Sequence, residues 1–194
     1  TDYAVLYFNV RNFKAVNEFF GIDTGDSVLR TIYKNMRSSS LKPCVVARVE
    51  ADQFTCLVEK KNLDFDALSG LCEWNFTKKG KTMHIFCGCG IFFVENKEMS
   101  INGMIDRAKL AKKYITDEYV KPYNIYDASM KSYYIDRAEL AGELRNGLAQ
   151  EQFKVYYQPV VDAKTGEIRS AEALIRWVHP KRGFVSPAIF IPAL

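Results

Sequence analysis

The most unusual stretch of this sequence is RVEADQF, residues 48–54, which lies between two apolar runs. The pattern predicts two strands joined by a tight turn, and such turns usually contain glycine because both central residues need positive φ. This turn has no glycine, and its tip, Glu50-Ala51-Asp52-Gln53, offers two carboxylates and one amide. An acidic tip with poor turn residues is therefore a candidate site, either working or vestigial.

The sulfur and imidazole groups that could hold a metal belong to five cysteines and two histidines, His84 and His179. Cys87 and Cys89 would point to the same face of a strand. Zinc would need two more ligands at suitable spacing. The cysteines in segments with strand patterns are Cys44, Cys56, Cys87 and Cys89. We expect reduced, buried thiols that pack in a core, with a metal site as the alternative.

The composition is that of a protein with an ordinary charge balance. The chain is 48% hydrophobic and 26% charged, with a formal net charge of +4, which fits nucleotide partners or a solvated surface. No run approaches the roughly 18 apolar residues of a membrane span, and no signal peptide or basic-aromatic RNA motif occurs. We expect a cytoplasmic segment, without nucleic acid or membrane contact, of a larger protein that a membrane could anchor.

The acidic tip needs a sheet to position it. The residue patterns in the first two thirds of the chain predict such a sheet. Strands are expected at 3–10, 44–50, 53–59, 83–95 and 120–126, and helices at 13–20, 24–39, 62–79 and 101–117. Thr24 would be a helix N-cap, Pro122 favours an edge strand, and Gly88 and Gly90 favour a bulge or close backbone approach. This order predicts an α+β fold, with helices against a mostly antiparallel sheet and a ferredoxin-like core.

The pattern changes at about residue 128. A long helix is expected over 128–150, followed by strands at 153–161 and 168–178 that are joined by a glycine-containing turn. The chain therefore divides into parts 1–127, 128–150 and 151–194. The last part has too few residues for a core of its own.

Two runs in the sequence resemble known families. YFNVRNFKAVNEFFGIDTGDSVL, followed by RVEADQF, resembles a GGDEF domain, the diguanylate cyclase fold that makes cyclic di-GMP from two GTP molecules. The likeness covers about residues 1–127 and lacks the family's N-terminal segment. FKVYYQPVVDAKTGEIRSAEALIRWVHPKRGFVSPAIFIP resembles the start of an EAL domain, the cyclic di-GMP phosphodiesterase. The resemblance implies a palm-type sheet flanked by helices, then a linker helix and the first strands of an incomplete EAL barrel.

The resemblance implies that carboxylates at the first strand and the hairpin hold Mg²⁺ while a 3′-hydroxyl attacks an α-phosphate. The matching positions are Asn9, Asp52 and Gln53, so one carboxylate of three remains. We expect a weakened metal site at Asp52 and Asn9. The alternative is that Asn9 and Gln53 only cap a turn.

The first two signature letters are glycine in the family because the backbone approaches the nucleotide closely. Here they are Glu50 and Ala51, whereas Phe54 keeps the last letter. The inhibitory product motif, Arg-x-x-Asp, is replaced by Leu-Lys-Pro-Cys at 41–44. We therefore expect no cyclase activity and no product feedback.

The resemblance also implies a set of nucleotide contacts. The matching residues are Asn12, Phe13, Lys14, Asn17, Asp26 and Lys113. Backbone N–H groups at 12–14 would meet phosphates, while Asn17 and Asp26 would read the guanine edge. The alternative is a solvent-facing Asn17 and an Asp26 that interacts with the helix dipole. Asp117 stands where the family has an arginine, and Lys109 and Lys112 could substitute for that arginine or form a solvated face.

In the EAL part, Glu172 matches a metal-binding glutamate, and Gln158 and Arg176 match residues that contact cyclic di-GMP. The family's other metal ligands and its catalytic base lie beyond position 194. Early barrel strands leave unpaired edges, which we expect to meet the rest of the EAL domain, the first domain or another chain.

These features predict a cyclic di-GMP signalling protein. Its GGDEF domain would bind a guanine nucleotide, with GTP as the expected ligand, or relay a signal to a C-terminal EAL phosphodiesterase. One alternative is a structural dimerisation or spacer domain with a vestigial pocket, in a homodimer. The other is an active diguanylate cyclase with unusual Mg²⁺ ligands.

Overall fold

The structure, a computed structural model, describes residues 2–78 and 80–191. The chain divides after residue 130 into two compact units, which are described separately. The strands are Tyr3–Val10 (β1), Val45–Glu50 (β2), Gln53–Glu59 (β3), Glu73–Lys78 (β4), Lys81–Phe93 (β5), Tyr123–Ile125 (β6), Phe153–Val161 (β7), Ile168–His179 (β8) and Gly183–Val185 (β9). The helices are Phe13–Phe20 (α1), Ile22–Arg37 (α2), Phe65–Gly70 (α3), Ile101–Lys113 (α4), Ala128–Ala149 (α5) and Pro187–Phe190 (α6).

One sheet organises the first unit, with strands in the order β2-β3-β1-β5-β4. These pairs are antiparallel, whereas β6 runs parallel to β5. β6 pairs with β5 alone among the described strands, so the edge position that Pro122 predicts is confirmed. The predicted α+β layer fold with a largely antiparallel sheet is also confirmed.

Alternation along β1 gives the sheet two packed faces. Ala4, Leu6, Phe8 and Val10 face the core that contains the buried residues of α2. Val5 and Tyr7 face the opposite side, where Phe92 and Ala108 complete a second cluster with α4. β1 is therefore the central strand of the unit, and its C-terminal end is held from both sides.

Gly90 lets α4 approach the sheet closely. A β-carbon at this position would lie 1.8 Å from the carbonyl oxygen of Ala108 and 2.6 Å from the backbone nitrogen of Lys112. Any side chain would therefore push α4 away from β5. The close backbone approach predicted for this part of the strand is confirmed.

The helix predicted over 62–79 is wrong. The segment forms the short helix α3 and then the strand β4, and Lys79 lies outside the described residues. Leu63, Leu68 and Leu71 have helical spacing, but Trp74 and Phe76 alternate with exposed residues, as a half-buried strand requires. The alternating pattern at Trp74 and Phe76 is the one that pairs with β5. This tertiary contact therefore decides that the C-terminal half of the segment is a strand.

Two helix ends also differ from their predicted positions. α2 begins at Ile22, after Gly21 with φ of 83°, so Thr24 is buried inside the helix instead of capping it. Asp23, not Asp26, lies in its first turn. α4 ends at Lys113, four residues before its predicted end. Beyond it, the Asp117 carboxylate accepts hydrogen bonds from the backbone of Tyr119 and Val120 at 2.9 and 3.3 Å.

The cysteines are free thiols, as expected. Cys56, Cys72, Cys87 and Cys89 are buried, and burial raises the pKa of Cys56 and Cys72 to about 12. Cys44 is exposed, which contradicts its predicted burial, because β2 begins one residue later than expected. No group of three or more His, Cys, Asp or Glu within residues 2–78 and 80–191 could hold a metal.

The second unit is a β7-β8-β9 antiparallel sheet with α5 and α6. Leu140, Trp177, Val185 and Phe190 form a buried cluster, and the ring of Phe153 stacks on Trp177 at 4.9 Å. Residues 151–194 therefore share a small core with α5, which contributes Leu140, instead of forming a core of their own. β7 remains largely exposed and pairs only with β8 among the described strands.

The described helices do not resemble membrane spans. None in the described part of the chain has the length and apolarity to cross a bilayer.

Candidate functional site

The acidic turn between β2 and β3 forms without glycine because Ala51 adopts a left-handed backbone conformation, with φ of 39°. This region is unfavourable for residues with a β-carbon. The strand register shifts between Arg48 and Glu50, and the Arg48 Nε donates a hydrogen bond of 2.6 Å to the Ala51 carbonyl. The Arg48 side chain therefore stabilises the turn through a hydrogen bond to its backbone.

The turn reaches the end of β1, where the three matched metal positions meet. Asn9 pairs with Gln53 on one side and with Gly88 on the other. The backbone N–H of Val10 donates to the Asp52 carbonyl at 3.2 Å. The structure thus brings Asn9, Asp52 and Gln53 together, all half-buried.

These residues fit Mg²⁺ poorly. Gln53 Oε1 is buried and has no hydrogen-bond partner among the described residues, so it is an oxygen with unused acceptor capacity. However, Mg²⁺ sites rely on carboxylates, and Asp52 is the one carboxylate of the three matched positions. The expected role of Asn9 and Asp52 as metal ligands therefore has little support in their chemistry.

The turn is nevertheless a region of negative charge. Burial raises the pKa of Tyr7 to about 12, and the carboxylates of Asp52 and Glu50 add to this rise. Glu50 is exposed beside Ala51 at the tip. An anionic ligand that approaches the turn would therefore meet repulsion.

The two matched guanine positions lie where α1 meets α2. Asn17 is half-buried, and its Oδ1 would lie 1.9 Å from a β-carbon on Gly25. Asp26, the next residue, is exposed and lines a cavity of about 390 Å³ together with Tyr33 and Phe54. The missing side chain at Gly25 therefore provides the space that the Asn17 amide occupies, whereas Asn17 is not among the residues that line the cavity at Asp26.

The first turn of α1 follows directly from β1. Asn12 has φ of 51° and ψ of 32°, and the N–H of Arg11 donates to the Phe86 carbonyl at 2.8 Å, which anchors this connection to the sheet. The side chain of Asn12 does not cap the helix. The amides of Phe13 and Lys14 lie in the first turn, where helix N–H groups have no intrahelical acceptor.

Two lysines stand at the C-terminal end of α4. The side chain of Lys112 lies near the end of β1, whereas Lys113 is exposed. Lys112 Nζ donates to Glu118 Oε1 at 2.9 Å, and its Cε would lie 2.6 Å from a β-carbon on Gly88, the register partner of Asn9. The signal that identifies it is helical spacing, because Lys112 lies four residues after the buried Ala108.

Sequence reasoning missed Arg11 and Glu118. Arg11 Nη1 lies 3.9 Å from Glu118 Oε2, and its guanidinium lies 4.8 Å from the centre of the Tyr119 ring. These residues line a cavity of about 450 Å³ with Lys112 and Asp117. No sequence pattern indicates this cluster, because it depends on where α4 ends.

In the second unit, two of the matched EAL positions are directly opposite. Gln158 of β7 pairs with Glu172 of β8, and both are exposed. Arg176 lies four residues along β8 on the same face as Glu172 and pairs with Lys154. The three side chains therefore share one face of the hairpin.

A buried histidine connects α5 to β8 in this unit. His179 Nδ1 accepts hydrogen bonds from the backbone of Lys181 and Arg182, each at 3.2 Å, so Nε2 carries the proton and donates to Glu143. This bond lowers the pKa of Glu143 below its ordinary value. His84 is exposed on β5.

A palm-type sheet with a signature turn at the end of its central strand defines a domain of the diguanylate cyclase fold. The chain belongs to the GGDEF family: residues 1–114 match the family model "Diguanylate cyclase, GGDEF domain". Residues 141–194 match the model "EAL domain". The family likeness predicted from the two sequence runs is confirmed, and the family is one of cyclic di-GMP signalling proteins.

Two relatives of the chain are named for the synthesis or hydrolysis of cyclic di-GMP. The chain is 27% identical over 195 residues to the bifunctional diguanylate cyclase/cyclic di-GMP phosphodiesterase MucR of Pseudomonas aeruginosa, covering 98% of this chain and 28% of MucR. It is 26% identical to the cyclic di-GMP phosphodiesterase NbdA of the same organism, covering 97% of this chain and 25% of NbdA. The chain therefore spans about a quarter of the length of these relatives.

Solved structures show the same fold. An EAL/GGDEF domain protein from M. capsulatus matches with a TM-score of 0.57 and 22% identity, covering 66% of this chain and 86% of that chain. The active GGEEF domain of a diguanylate cyclase from Vibrio cholerae matches with a TM-score of 0.52 and 21% identity, covering 66% and 84%.

Proposed function

We propose that residues 1–127 form a non-catalytic GGDEF domain that binds a guanine nucleotide and regulates an EAL phosphodiesterase, with residues 128–150 as the connecting helix and 151–194 as the start of the EAL domain. The observation that carries this proposal is the placement of Asn17 in the space left by Gly25, next to Asp26. The residue types that could read guanine are present on α1 and α2, whereas two of the three matched metal positions, Asn9 and Gln53, carry amides.

The loss of catalysis follows from charge. Transfer of a nucleotidyl group needs divalent metal to neutralise the triphosphate. At the end of β1, Asn9 and Gln53 contribute neutral amides, and Glu50 adds a negative charge at the tip. Mg²⁺ binding would therefore be weak, and a triphosphate would be repelled from the turn instead of being held for attack.

Guanine binding depends on different residues. An asparagine amide and a carboxylate together provide the donors and acceptors that match the guanine edge. The amides of the first turn of α1, from Asn12 to Lys14, can meet a phosphate without any side chain. Because neither feature uses Asp52 or Gln53, binding can persist where catalysis is lost.

The EAL unit would supply the output. Gln158, Glu172 and Arg176 share an exposed face, which suits contacts to cyclic di-GMP and a metal together with the rest of the EAL domain. Both nucleotides are made and used in the cytoplasm, which is the location that we propose. The exposed β7 edge would pair with further strands of the same domain.

Titration calorimetry of the whole chain with guanosine and GTP tests this function, together with an assay for pyrophosphate release from GTP. We expect saturable guanosine binding, no pyrophosphate, and loss of binding in Asn17→Ala. Asn35→Ala, an exposed asparagine on the same helix as Asp26, is the matched control. Pyrophosphate release would show an active cyclase, and guanosine binding that is unchanged in Asn17→Ala would remove the assigned pocket.

A second candidate function is self-association with a vestigial pocket. The edge strand β2 exposes Val45 and Val49, which line an apolar groove of about 610 Å³ between the sheet and α4. A second copy of the chain would cover this groove by pairing along β2. Sedimentation velocity tests whether Val45→Lys loses self-association. Ile168→Lys is the control, at an exposed site in the second unit.

A further inference from the structure

Arg11 and Lys112, which lie near the end of β1, already share an anionic partner within the chain. Each oxygen of the Glu118 carboxylate faces one cation: Oε1 lies 2.9 Å from Lys112 Nζ, and Oε2 lies 3.9 Å from Arg11 Nη1. The side chains of Glu118 and Lys112 are only 17% and 24% exposed, so water screens this pair less than an ordinary surface pair.

The pair lies directly on the end of the sheet. A β-carbon on Gly88 would be 2.6 Å from Lys112 Cε and 2.7 Å from Glu118 Oε1, so Gly88 provides the space for both side chains. Gly88 is also the register partner of Asn9, two residues before Arg11. Glu118 therefore occupies the cations, Arg11 and Lys112, with which the phosphates of a nucleotide at the first turn of α1 would form ion pairs.

The surrounding charges act in the same direction. Asp117 lines the same cavity as Glu118, and Glu50 and Asp52 lie at the turn between β2 and β3. These carboxylates do not form a group of three or more that could hold a metal within residues 2–78 and 80–191. Each additional phosphate on a ligand would therefore increase the repulsion.

We propose that Glu118 acts as an internal substitute for phosphate and makes this pocket select guanine ligands of low charge, guanosine or GMP, over GTP. This inference rests on the proposed guanine-binding function for the identity of the base, but the charge pairing of Glu118 is independent of it. Arg11 and Lys112 would be specificity-determining residues that Glu118 keeps occupied.

Titrations without Mg²⁺ on the whole chain test the inference, with guanosine, GMP, GTP and inorganic tripolyphosphate as probes. The wild type should bind GMP about tenfold more tightly than GTP. Glu118→Gln should strengthen the binding of GTP and tripolyphosphate by about tenfold and leave guanosine affinity unchanged. Asp106→Asn is the matched control, since it makes the same charge change at an exposed position of α4.

The outcomes separate the two proposals. Guanosine binding combined with equal tripolyphosphate affinity in Glu118→Gln and Asp106→Asn would overturn the role of Glu118 and leave the guanine pocket intact. A gain in tripolyphosphate affinity without guanosine binding would support Glu118 and overturn the guanine pocket. Lys112→Gln in the Glu118→Gln background should abolish the gain, and a gain that persists there would also contradict the inference.

Discussion

The side-chain oxygen of Asn17 lies 1.9 Å from the point where a β-carbon on Gly25 would stand. The two residues belong to neighbouring helices, and the glycine leaves room for the asparagine amide at the residue before Asp26. Gly25 is therefore a positioning residue for the proposed guanine site, although it has no side chain to touch a ligand.

Gly25→Ala should weaken guanosine binding by about fivefold to tenfold, because the new methyl group displaces Asn17 and costs about one hydrogen bond. Calorimetric titration measures the change. Gly70→Ala is the control, since a β-carbon there meets nothing within 4 Å. Equal affinities in Gly25→Ala and the wild type would show that Asn17 does not need its present position.

Ala51→Gly should stabilise the first unit by about 0.5–1 kcal/mol, because glycine tolerates the positive φ of this turn without a steric penalty. Urea denaturation measures the free energy of unfolding. Ala47→Gly, in the regular part of β2, should destabilise instead, since glycine weakens a strand interior. A destabilised Ala51→Gly variant would mean that the turn is not strained.

Asn9→Asp combined with Gln53→Glu should restore two carboxylates beside Asp52 and strengthen Mn²⁺ binding by at least about tenfold. Electron paramagnetic resonance of free Mn²⁺ measures this affinity. Asn75→Asp with Gln150→Glu provides a control with the same charge change at two exposed positions elsewhere in the chain. Unchanged Mn²⁺ affinity in the first variant would show that these residues do not converge on one cation.

The second unit should lose stability in acid through Glu143. The hydrogen bond from His179 lowers the folded-state pKa of Glu143 below its ordinary value of 4.5. The resulting stabilisation is present above that ordinary value and is lost as pH falls through the lowered pKa. Fluorescence of Trp177, measured in a Trp74→Phe background, reports the unfolding of this unit. Glu143→Gln should remove this part of the acid dependence, and an unchanged pH profile would contradict the assignment.

Much of the fold follows from sequence because its signals are local. The aromatic and branched residues of β1, the two apolar runs around RVEADQF and the edge signal of Pro122 each predict the correct element. The sequence analysis did not predict the strand β4 because Leu68 and Leu71, just before it, have helical spacing. Pairing with β5 decides that the residues after them alternate as a strand.

The site was less predictable because neighbouring residues on a helix point in different directions. Lys113 matched the family position, but one residue along an α-helix rotates a side chain by about 100°, and Lys112 faces the sheet. Glu118 was missed because its contact with Lys112 arises only where α4 ends and the following loop turns back over Gly88. Such contacts have no short-range pattern.

Guanosine titration into the whole chain tests the central claim most directly, because this ligand has no phosphate and depends on the base-reading residues alone. The account predicts saturable binding of guanosine and at least about tenfold weaker binding of adenosine, whose edge does not match Asn17 and Asp26. Equal affinities for the two nucleosides, or no heat with guanosine at high protein concentration, would contradict it.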